Sequence, residues 1–419
     1  MDKMWVKGGN TLNGRVSASG AKNAVLPIVF SSLLADGKHR FENVPDLLDI
    51  KSTQVILESL GCTTQYEAGV LSVEVEEPKE KLAHYDYVRK MRASVLVLGP
   101  LLARYGEAKV SLPGGCAIGT RPVNMHLEAM EALGATVDIA EGYIIASAEG
   151  GLKGGRILFE TATVGGTENA LMAAVLAKGE TVIENAAKEP EVVDLCNYLI
   201  KMGAQISGVG TGILTIKGVD QLKPAQHRII PDRIEAGTLL IAGAITGGEV
   251  TVTNCEPQDL QPLIAVLREA GFKVDTGYGE VTVRPQSQWR AVDVTTSPHP
   301  GFPTDLQAQY MALMTQADGT SLITESVFEN RFMHVQELTR MNADITPKTR
   351  VAVIRGEKGQ LTGAPVMATD LRASACLVLA GLVAKGETVV SRIYHLDRGY
   401  DQLEKKLQSL GAEIKRVSE

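Results

Sequence analysis

The stretch EALGATV, residues 131–137, carries the signal that decides the fold: a helical pattern that stops at a glycine and continues as a strand. The signal occurs six times, as ESLGCTT, EALGATV, IKMGAQI, REAGFKV, TRMNADI and QSLGAEI. Glycine just past a helix adopts the left-handed conformation at little cost, and asparagine is its usual substitute. The stop residues, separated by 73, 69, 68, 71 and 69 positions, are Gly61, Gly134, Gly203, Gly271, Asn342 and Gly411. The pattern predicts six copies of one repeat.

A second glycine series divides each repeat, since it follows an earlier, more apolar helical segment and precedes a β-rich run. Its members are Gly37, Gly106, Gly179, Gly248, Gly319 and Gly386. Each repeat is therefore predicted to contain two helices and about four strands. Within a repeat, the glycine of this second series precedes the stop residue by 23–25 positions in five repeats. In the second repeat the separation is 28, and the extra residues fall on GGCAIG. This glycine-rich loop around Cys116 is interpreted as an insertion on the binding face.

Polar or charged residues recur where the apolar helix of a repeat should begin. The positions fourteen residues before the second glycine series are Asn23, Arg92, Gly165, Ile234, Asp305 and Arg372, and Lys22 and Arg233 adjoin two of them. A buried helix pattern predicts nothing polar there. Helix N-termini carry partial positive charge and unpaired N–H groups, so they bind anions. We expect several of these ends to converge on one cleft.

The length of 419 residues exceeds what one core usually supports, so two domains are expected. Six repeats divide into three and three, with the break after Gly203 and near the segment HRIIPD. The predicted domains are residues 20–229, with repeats 1–3 and the cysteine loop, and residues 1–19 plus 230–419, with repeats 4–6. The N-terminal strand is predicted to return and complete the last repeat.

Composition excludes several classes of protein. The net charge of −7 argues against nucleic-acid binding, and no segment is typical of a signal peptide or membrane span, so a cytoplasmic protein that binds neither nucleic acid nor membrane is expected. The five cysteines are scattered, without a CxxC pair or zinc-ligand spacing. Cys62, Cys196 and Cys376 fit apolar segments and are predicted to be core residues, Cys255 lies in a turn-like sequence, and Cys116 alone has a reactive setting.

Several motifs together resemble those of the UDP-N-acetylglucosamine enolpyruvyl transferases, of the EPSP synthase-like superfamily, from about residue 3 to residue 417. They are SGAKNAVLP, YVRKMRAS, LPGGCAIGTRP, HPGFPTDLQAQ, ENRFMHV, DLRASA and YHLDRGYDQLEKKL. The resemblance implies an α/β fold: a two-domain inside-out α/β barrel with six βαβαββ repeats, three per domain. That repeat number agrees with the count made from the glycines.

The resemblance also implies a reaction, the transfer of the enolpyruvyl group of phosphoenolpyruvate to the 3-hydroxyl of UDP-N-acetylglucosamine. Phosphate leaves after a tetrahedral ketal, in the first committed step of peptidoglycan synthesis, and no metal or cofactor is required. One alternative is the related enzyme that uses shikimate 3-phosphate, but it lacks the cysteine loop. A non-catalytic ring that clamps DNA is the other, and the acidic charge argues against it.

The family's catalytic residues match Cys116, Asp305, Lys22 and Arg398 of this chain. Cys116 matches the acid that protonates C3, forms a covalent adduct with phosphoenolpyruvate and is alkylated by fosfomycin; the alternative is an incidental exposed cysteine. Asp305 matches the base at the sugar hydroxyl, although an aspartate after Pro-Thr also suits a helix N-cap. The matches to the phosphoenolpyruvate-binding residues are Lys22, Asn23, Arg121, Arg372 and Arg398. Asp370 is expected to orient Arg372 or to assist proton transfer.

The matches to the UDP-N-acetylglucosamine-binding residues form a larger set. They are Arg92, Arg121, Pro122, Val123, Asn124, Met125, Thr163, Val164, Gly165, Asp305 and Val327. Two positions depart from the family pattern, since Thr161 stands where some branches have lysine and Asn124 where aspartate is familiar. These departures affect the diphosphate and uracil contacts respectively.

Overall fold

The structure is a computed structural model that describes residues 2–76, 82–83, 91–112 and 123–418. These residues form two compact units, and the chain passes from one unit to the other after Ser19 and again after Ile230. The first unit comprises the described residues from 20 to 230, and the second comprises residues 2–19 and 231–418. Each unit has its own cluster of buried apolar side chains.

Helices of two kinds alternate along the described chain. The α-helices of the first unit are Lys22–Ser31 (α1), Leu48–Ser59 (α2), Leu98–Tyr105 (α3), Asn124–Ala132 (α4), Val164–Ala174 (α5) and Pro190–Lys201 (α6). Those of the second unit are Arg233–Thr246 (α7), Gln261–Ala270 (α8), Gln307–Met314 (α9), His334–Arg340 (α10), Leu371–Val383 (α11) and Leu403–Ser409 (α12). Short 3-10 segments are Ser32–Leu34, Arg92–Val97, Pro257–Leu260, Thr304–Leu306 and Ile393–Arg398.

The two kinds of helix differ in what they bury. In α7 every residue from Ile234 to Ile245 is buried, because the helix has apolar residues on all sides, with Glu235 and Thr238 as the polar exceptions, and lies in the core. In α8 only the stripe of Leu263, Ile264, Leu267 and Ala270 is buried, which is the spacing of a helix with one face on the core. The first helix of a repeat is therefore central, and the second covers it.

Six four-stranded sheets are present in the described residues. In the first unit they are formed, each in spatial order, by Gln226–Arg228 (β14), Gly37–Glu42 (β3), Val70–Val75 (β5) and Thr63–Glu67 (β4); by Leu82–Ala83 (β6), Glu107–Ser111 (β7), Tyr143–Ser147 (β9) and Thr136–Ala140 (β8); and by Arg156–Leu158 (β10), Glu180–Glu184 (β11), Ile213–Lys217 (β13) and Gln205–Ser207 (β12).

The second unit repeats this arrangement. Its sheets are formed by Gly14–Ser17 (β2), Val250–Thr253 (β15), Glu280–Val283 (β17) and Val274–Gly277 (β16); by Val294–Thr295 (β18), Gly319–Thr324 (β19), Val351–Gly356 (β21) and Asp344–Pro347 (β20); and by Pro365–Met367 (β22), Glu387–Ser391 (β23), Lys3–Lys7 (β1) and Glu413–Val417 (β24).

All six sheets share one pairing pattern: the first pair of strands is parallel and the next two pairs are antiparallel. Three strands reach their sheets from distant parts of the chain. β1 completes the last repeat by pairing with β23 and β24, as the sequence predicts. β2 supplies the first strand of the fourth repeat, and β14 that of the first repeat. The predicted fold class is confirmed.

The six stop residues all have positive φ, from 70° at Asn342 to 112° at Gly271, which confirms the glycine rule used to find the repeats. Five members of the second series also have positive φ, and Gly248 is the exception. In the fourth repeat Gly247 takes the left-handed conformation, with φ of 72°. Gly248 is needed for a different reason, because a Cβ there would lie 1.7 Å from the Leu12 carbonyl oxygen. The small residue allows the chain leading to β2 to approach closely.

The six counted positions lie at helix starts, as predicted. Asn23, Gly165, Ile234 and Arg372 are the second residues of α1, α5, α7 and α11. Arg92 is instead the first residue, and Asp305 the second, of 3-10 segments that lead into α3 and α9.

Candidate functional site

Asp305 lies in the Thr304–Leu306 turn of the second unit, between two arginine side chains. Arg372 at the start of α11 donates to Oδ2 from Nη2 at 2.7 Å and from Nε at 3.1 Å. Arg331 donates to Oδ1 from Nη2 at 2.7 Å. The residue before the turn is Pro303, and no side-chain cap is formed there. The N-cap alternative for Asp305 is therefore not what the structure has: the carboxylate faces arginines.

The charges of this cluster fix its protonation. Burial opposes ionisation of Asp305, but the adjacent Arg372 and Arg331 guanidinium groups outweigh it and hold the pKa of Asp305 well below its usual range. For Arg372, burial lowers the pKa, and Asp305 more than offsets that effect and raises it. Asp305 is thus a carboxylate, and Arg372 a cation, throughout the neutral range.

Arg372 retains one open donor. Its side chain is almost wholly buried, its Nε and Nη2 are used by Asp305, and its Nη1 has no hydrogen-bond partner among the described residues. The guanidinium carbon lies 5.4 Å from the centre of the Tyr400 ring, which supports the group from one side. A buried cationic donor without a partner is costly unless a ligand supplies an acceptor. The open atom suits one oxygen of a carboxylate or phosphate.

Tyr400 is itself fixed by two neighbours in the core. Gln309 of α9 donates to its hydroxyl from Nε2 at 2.9 Å, and Thr238 of α7 lies 3.1 Å from the same oxygen. Gln309 also donates to the Asp305 carbonyl at 2.9 Å. The starts of the three central helices of this unit are thereby linked around Asp305 and Arg372.

Asp370 has a backbone role. Its Oδ1 accepts from the backbone N–H groups of Arg372 and Ala373, at 2.8 and 3.0 Å, so it is the N-cap of α11. It therefore orients Arg372 through the main chain. Two histidines, His334 and His395, are close enough to Asp370 to feel its charge. Burial lowers the pKa of His334 to about 4. The pKa of His395 is also lowered, mainly by burial and to a smaller extent by the Arg398 cation. Arg398 ends the Ile393–Arg398 segment.

Lys22 of the first unit is paired with a buried carboxylate. Its Nζ lies 2.7 Å from Oδ2 of Asp49 in α2, and the side chains are 11% and 3% exposed. Lys22 is the first residue of α1, so its charge stands at a helix N-terminus, beside Asn23. Sequence reasoning missed Asp49, because nothing in its local pattern distinguishes it from a polar residue in the first turn of a helix.

Several of the first-unit residues matched to nucleotide binding lie where α4 and α5 begin. Thr163 caps α5 by accepting from the Gly166 N–H at 3.3 Å, so Val164 and Gly165 form the first turn. Gly165 faces His126 of α4, and a Cβ there would lie 3.1 Å from the imidazole. Thr161, which stands where some branches of the family have lysine, donates from its hydroxyl to the Met125 sulfur at 3.8 Å.

The remaining matches differ in their surroundings. Val123 precedes α4, and Asn124 donates to Oε1 of Glu128 at 3.3 Å within that helix. Arg92 begins the Arg92–Val97 segment. Val327 belongs to the second unit, where its N–H donates to Glu325 at 2.9 Å.

Cys116, Arg121 and Pro122 lie outside the described residues. The four other cysteines, Cys62, Cys196, Cys255 and Cys376, are buried and free. Burial raises the pKa of the Cys62 and Cys196 thiols to about 12 and that of Cys255 to about 11, and it also raises that of Cys376. These thiols are poor nucleophiles, because the thiolate is the reactive form.

The described parts of the chain contain neither a metal-ligand cluster nor a helix that could span a membrane. No three histidine, cysteine or acidic side chains there are grouped so that they could ligate a metal ion. No helix within those parts has the length and apolar character needed to cross a membrane.

This chain is similar in sequence and in fold to known proteins. The family model described as EPSP synthase (3-phosphoshikimate 1-carboxyvinyltransferase) matches residues 6–407. The chain belongs to this family of enolpyruvyl transferases. Among solved structures, the enolpyruvyl transferase NikO from Streptomyces tendae is similar to this chain with a TM-score of 0.90 and 27% sequence identity. The match covers 100% of this chain and 99% of NikO. EPSP synthase from Acinetobacter baumannii, with a TM-score of 0.78 and 16% identity over the full length of both chains, shares the fold.

The curated relatives described next are more similar to this chain in sequence, and they share one name. A UDP-N-acetylglucosamine 1-carboxyvinyltransferase of Bdellovibrio bacteriovorus is 66% identical over 99% of this chain and 100% of its own. Proteins with the same name from Myxococcus xanthus, over 99% of both chains, and Geotalea daltonii, over 100% of both, are 56% and 54% identical.

Proposed function

We propose that this protein is a transferase that moves the enolpyruvyl group of phosphoenolpyruvate to the 3-hydroxyl of UDP-N-acetylglucosamine, a step in peptidoglycan synthesis. The observation that carries the proposal is the 66% identity, over essentially the whole length of both chains, to a protein named for this activity. The contacts of Asp305, Arg372 and Lys22 support it, since the reaction needs a base and fixed cations.

The reaction balances without a redox partner. The sugar hydroxyl oxygen bonds to C2 of phosphoenolpyruvate while its proton passes to the base, and the acid protonates C3 to a methyl group. In the resulting tetrahedral ketal, one methyl proton returns to the enzyme and the C2–O bond to phosphate breaks. The products are the enolpyruvyl ether and inorganic phosphate.

In the second unit, Asp305 accepts the hydroxyl proton as the base. Its low pKa keeps it ionised. Oδ2 accepts twice from Arg372, whereas Oδ1 accepts only from Arg331 among the described residues and so keeps a lone pair for the proton. Arg372 offers its open Nη1 to phosphoenolpyruvate, and Arg398 is assigned to the same anion. Val327 contacts the sugar nucleotide. Fixed donors suit this task because they need no reorganisation as charge develops.

In the first unit, Lys22 and Asn23 are assigned to phosphoenolpyruvate, with Lys22 also acting in catalysis. The sugar nucleotide is assigned to Arg92, Val123, Asn124, Met125, Thr163, Val164 and Gly165. With no lysine at position 161, the diphosphate is met by the N–H groups at the start of α5, where the helix carries partial positive charge.

Three proposed site residues lie outside the described part of the chain. Cys116 is assigned as the acid at C3, as the site of a covalent adduct and as the target of fosfomycin. Arg121 is assigned to both substrates, and Pro122 to the nucleotide. The enzyme is proposed to act in the cytoplasm, without a metal or other cofactor.

Phosphate release tests the proposal. The protein is incubated with phosphoenolpyruvate alone, with UDP-N-acetylglucosamine alone, with both, and with shikimate 3-phosphate in place of the sugar nucleotide. Phosphate is expected only when phosphoenolpyruvate and UDP-N-acetylglucosamine are both present. Release with shikimate 3-phosphate and none with the sugar nucleotide would instead establish the alternative enolpyruvyl transfer.

A further inference from the structure

Glu325, directly after β19, is wholly buried, and its side-chain oxygens accept from neutral donors in the described part of the chain. Its Oε1 accepts from the Thr296 hydroxyl at 2.8 Å and from two backbone N–H groups, and its Oε2 accepts from the Thr304 hydroxyl at 2.8 Å. An acidic side chain is expensive to bury, so one that accepts from four neutral donors indicates a demand that a neutral residue would not meet.

The Oε1 half of Glu325 shapes the loop after β19. The N–H groups two and three residues further on, at Val327 and Phe328, donate to it at 2.9 and 3.1 Å. This closes a tight turn in the manner of a helix cap. Thr296 strengthens the turn, since its hydroxyl oxygen also accepts from the Ser326 N–H at 3.0 Å. The backbone of Val327 is therefore set by the Glu325 carboxylate.

The Oε2 half of Glu325 leads to Asp305. The Thr304 hydroxyl gives its one proton to Oε2 and accepts from Nη1 of Arg331 at 2.8 Å, while Nη2 of Arg331 donates to Asp305. The Phe328 ring, 5.2 Å from the Arg331 guanidinium, lies against the same group. One carboxylate thus connects the loop of Val327 with the turn of Asp305.

The direction of these hydrogen bonds requires an acceptor at position 325. With glutamate there, Arg331 donates to Thr304 and Thr304 donates to Glu325. An amide nitrogen facing Thr304 would also donate, leaving the hydroxyl with two donors directed at it and no acceptor for its own proton. A neutral isostere therefore reverses one bond and loosens Arg331.

We propose that Glu325 is a positioning residue for the sugar nucleotide, because it holds the Val327 loop and the Arg331–Asp305 pair in one arrangement. The inference rests on the proposed function, in which Val327 and Asp305 contact UDP-N-acetylglucosamine. Glu325 does not touch the substrate; it acts through Val327 on one side and through Thr304 and Arg331 on the other.

Calorimetric binding of UDP-N-acetylglucosamine without phosphoenolpyruvate tests this inference. The full chain is compared with Glu325→Gln, Thr304→Val, the double variant and Thr304→Ser, each checked for its fold by circular dichroism. The matched control is Glu404→Gln, which alters a buried glutamate of the same unit that is held by Arg416.

Glu325→Gln is expected to weaken binding at least about tenfold, the factor typical of a lost hydrogen bond to a charged group. Thr304→Val should weaken binding similarly, and Thr304→Ser should bind almost as well as wild type. Because Glu325 and Thr304 act through the same hydrogen bond, their effects should not add, and the double variant should bind about as weakly as Glu325→Gln alone. Glu404→Gln should lower thermal stability and leave binding unchanged.

Unchanged binding by folded Glu325→Gln, or fully multiplicative effects in the double variant, would overturn the inference. If Glu325→Gln fails to fold, Thr304→Val decides, because it leaves the Oε1 half intact: wild-type affinity in that variant overturns the inference. Failure of the proposed function has a different signature, since the unaltered chain would then not bind UDP-N-acetylglucosamine at all.

Discussion

Asp305 and Arg372 are joined through a single carboxylate oxygen, which accepts from Nη2 at 2.7 Å and from Nε at 3.1 Å. The two residues lie at helix starts of neighbouring repeats and are 67 positions apart in sequence. The proposed base is therefore ionised and oriented by the structure itself, and the cation beside it retains Nη1 for an anionic ligand.

Asp305→Asn tests the role of this carboxylate. The amide keeps the shape of the side chain but removes its charge and its capacity as a base, so turnover is expected to fall by at least about a hundredfold. Binding of UDP-N-acetylglucosamine should remain measurable by calorimetry. Near-normal turnover in a steady-state assay would reduce Asp305 to a structural partner of the two arginines.

The same pair predicts a dependence of stability on acidity. Because the pKa of Asp305 is depressed in the folded chain, its stabilising contribution is complete above the unfolded value of about 3.9 and is lost as pH falls further, through the folded value. Urea unfolding of wild type and Asp305→Asn should differ most near neutral pH and converge below about pH 4. A difference that does not change with pH would contradict the ion pair.

Asp49→Asn is expected to destabilise the first unit. The change leaves the Lys22 cation buried without its carboxylate, and breaking such a pair typically costs about 3–5 kcal/mol. The control is Asp46→Asn, since Lys51 and Asp46 form a pair of similar length, 2.9 Å, whose side chains are 60% and 41% exposed. That variant should lose at most about 1 kcal/mol in urea unfolding. Equal losses would contradict the assigned burial of the Lys22 pair.

Labelling by fosfomycin tests the assignment of Cys116. Mass spectrometry is expected to show one adduct on the wild-type chain and none on Cys116→Ser, because burial raises the pKa of the four other thiols and leaves little thiolate at neutral pH. Turnover should fall in the same variant. An adduct that persists in Cys116→Ser would show that another thiol is the target.

Much of the fold could be predicted from the sequence, because its repeating signal is local. Whether a helix can stop at Gly134 or Asn342 depends on the φ of one residue, and both adopt the predicted left-handed conformation. The sequence does not predict that β2 joins the sheet of the fourth repeat or that β14 joins the sheet of the first, since pairing between strands so far apart leaves no local pattern. The close approach at Gly248 likewise leaves no local pattern, because the Leu12 carbonyl that requires a small residue there is far away in sequence.

The candidate site shows a similar division. Asp305 and Arg372 could be found from their motifs and helix-start positions, and the structure brings them into contact. Asp49 and Glu325 could not be found from the sequence, because a buried acidic residue is distinguished only by the donors that tertiary packing places next to it. Sequence shows which side chains have useful chemistry; their protonation and direction come from packing.

The structure of the reaction product tests the central claim most directly. The protein is incubated with carbon-13-labelled phosphoenolpyruvate and UDP-N-acetylglucosamine, and the product is examined by nuclear magnetic resonance. The account predicts a labelled enolpyruvyl ether on the sugar 3-oxygen, formed together with an equal amount of phosphate. Unaltered UDP-N-acetylglucosamine with an active, folded enzyme, or attachment at another hydroxyl, would contradict it.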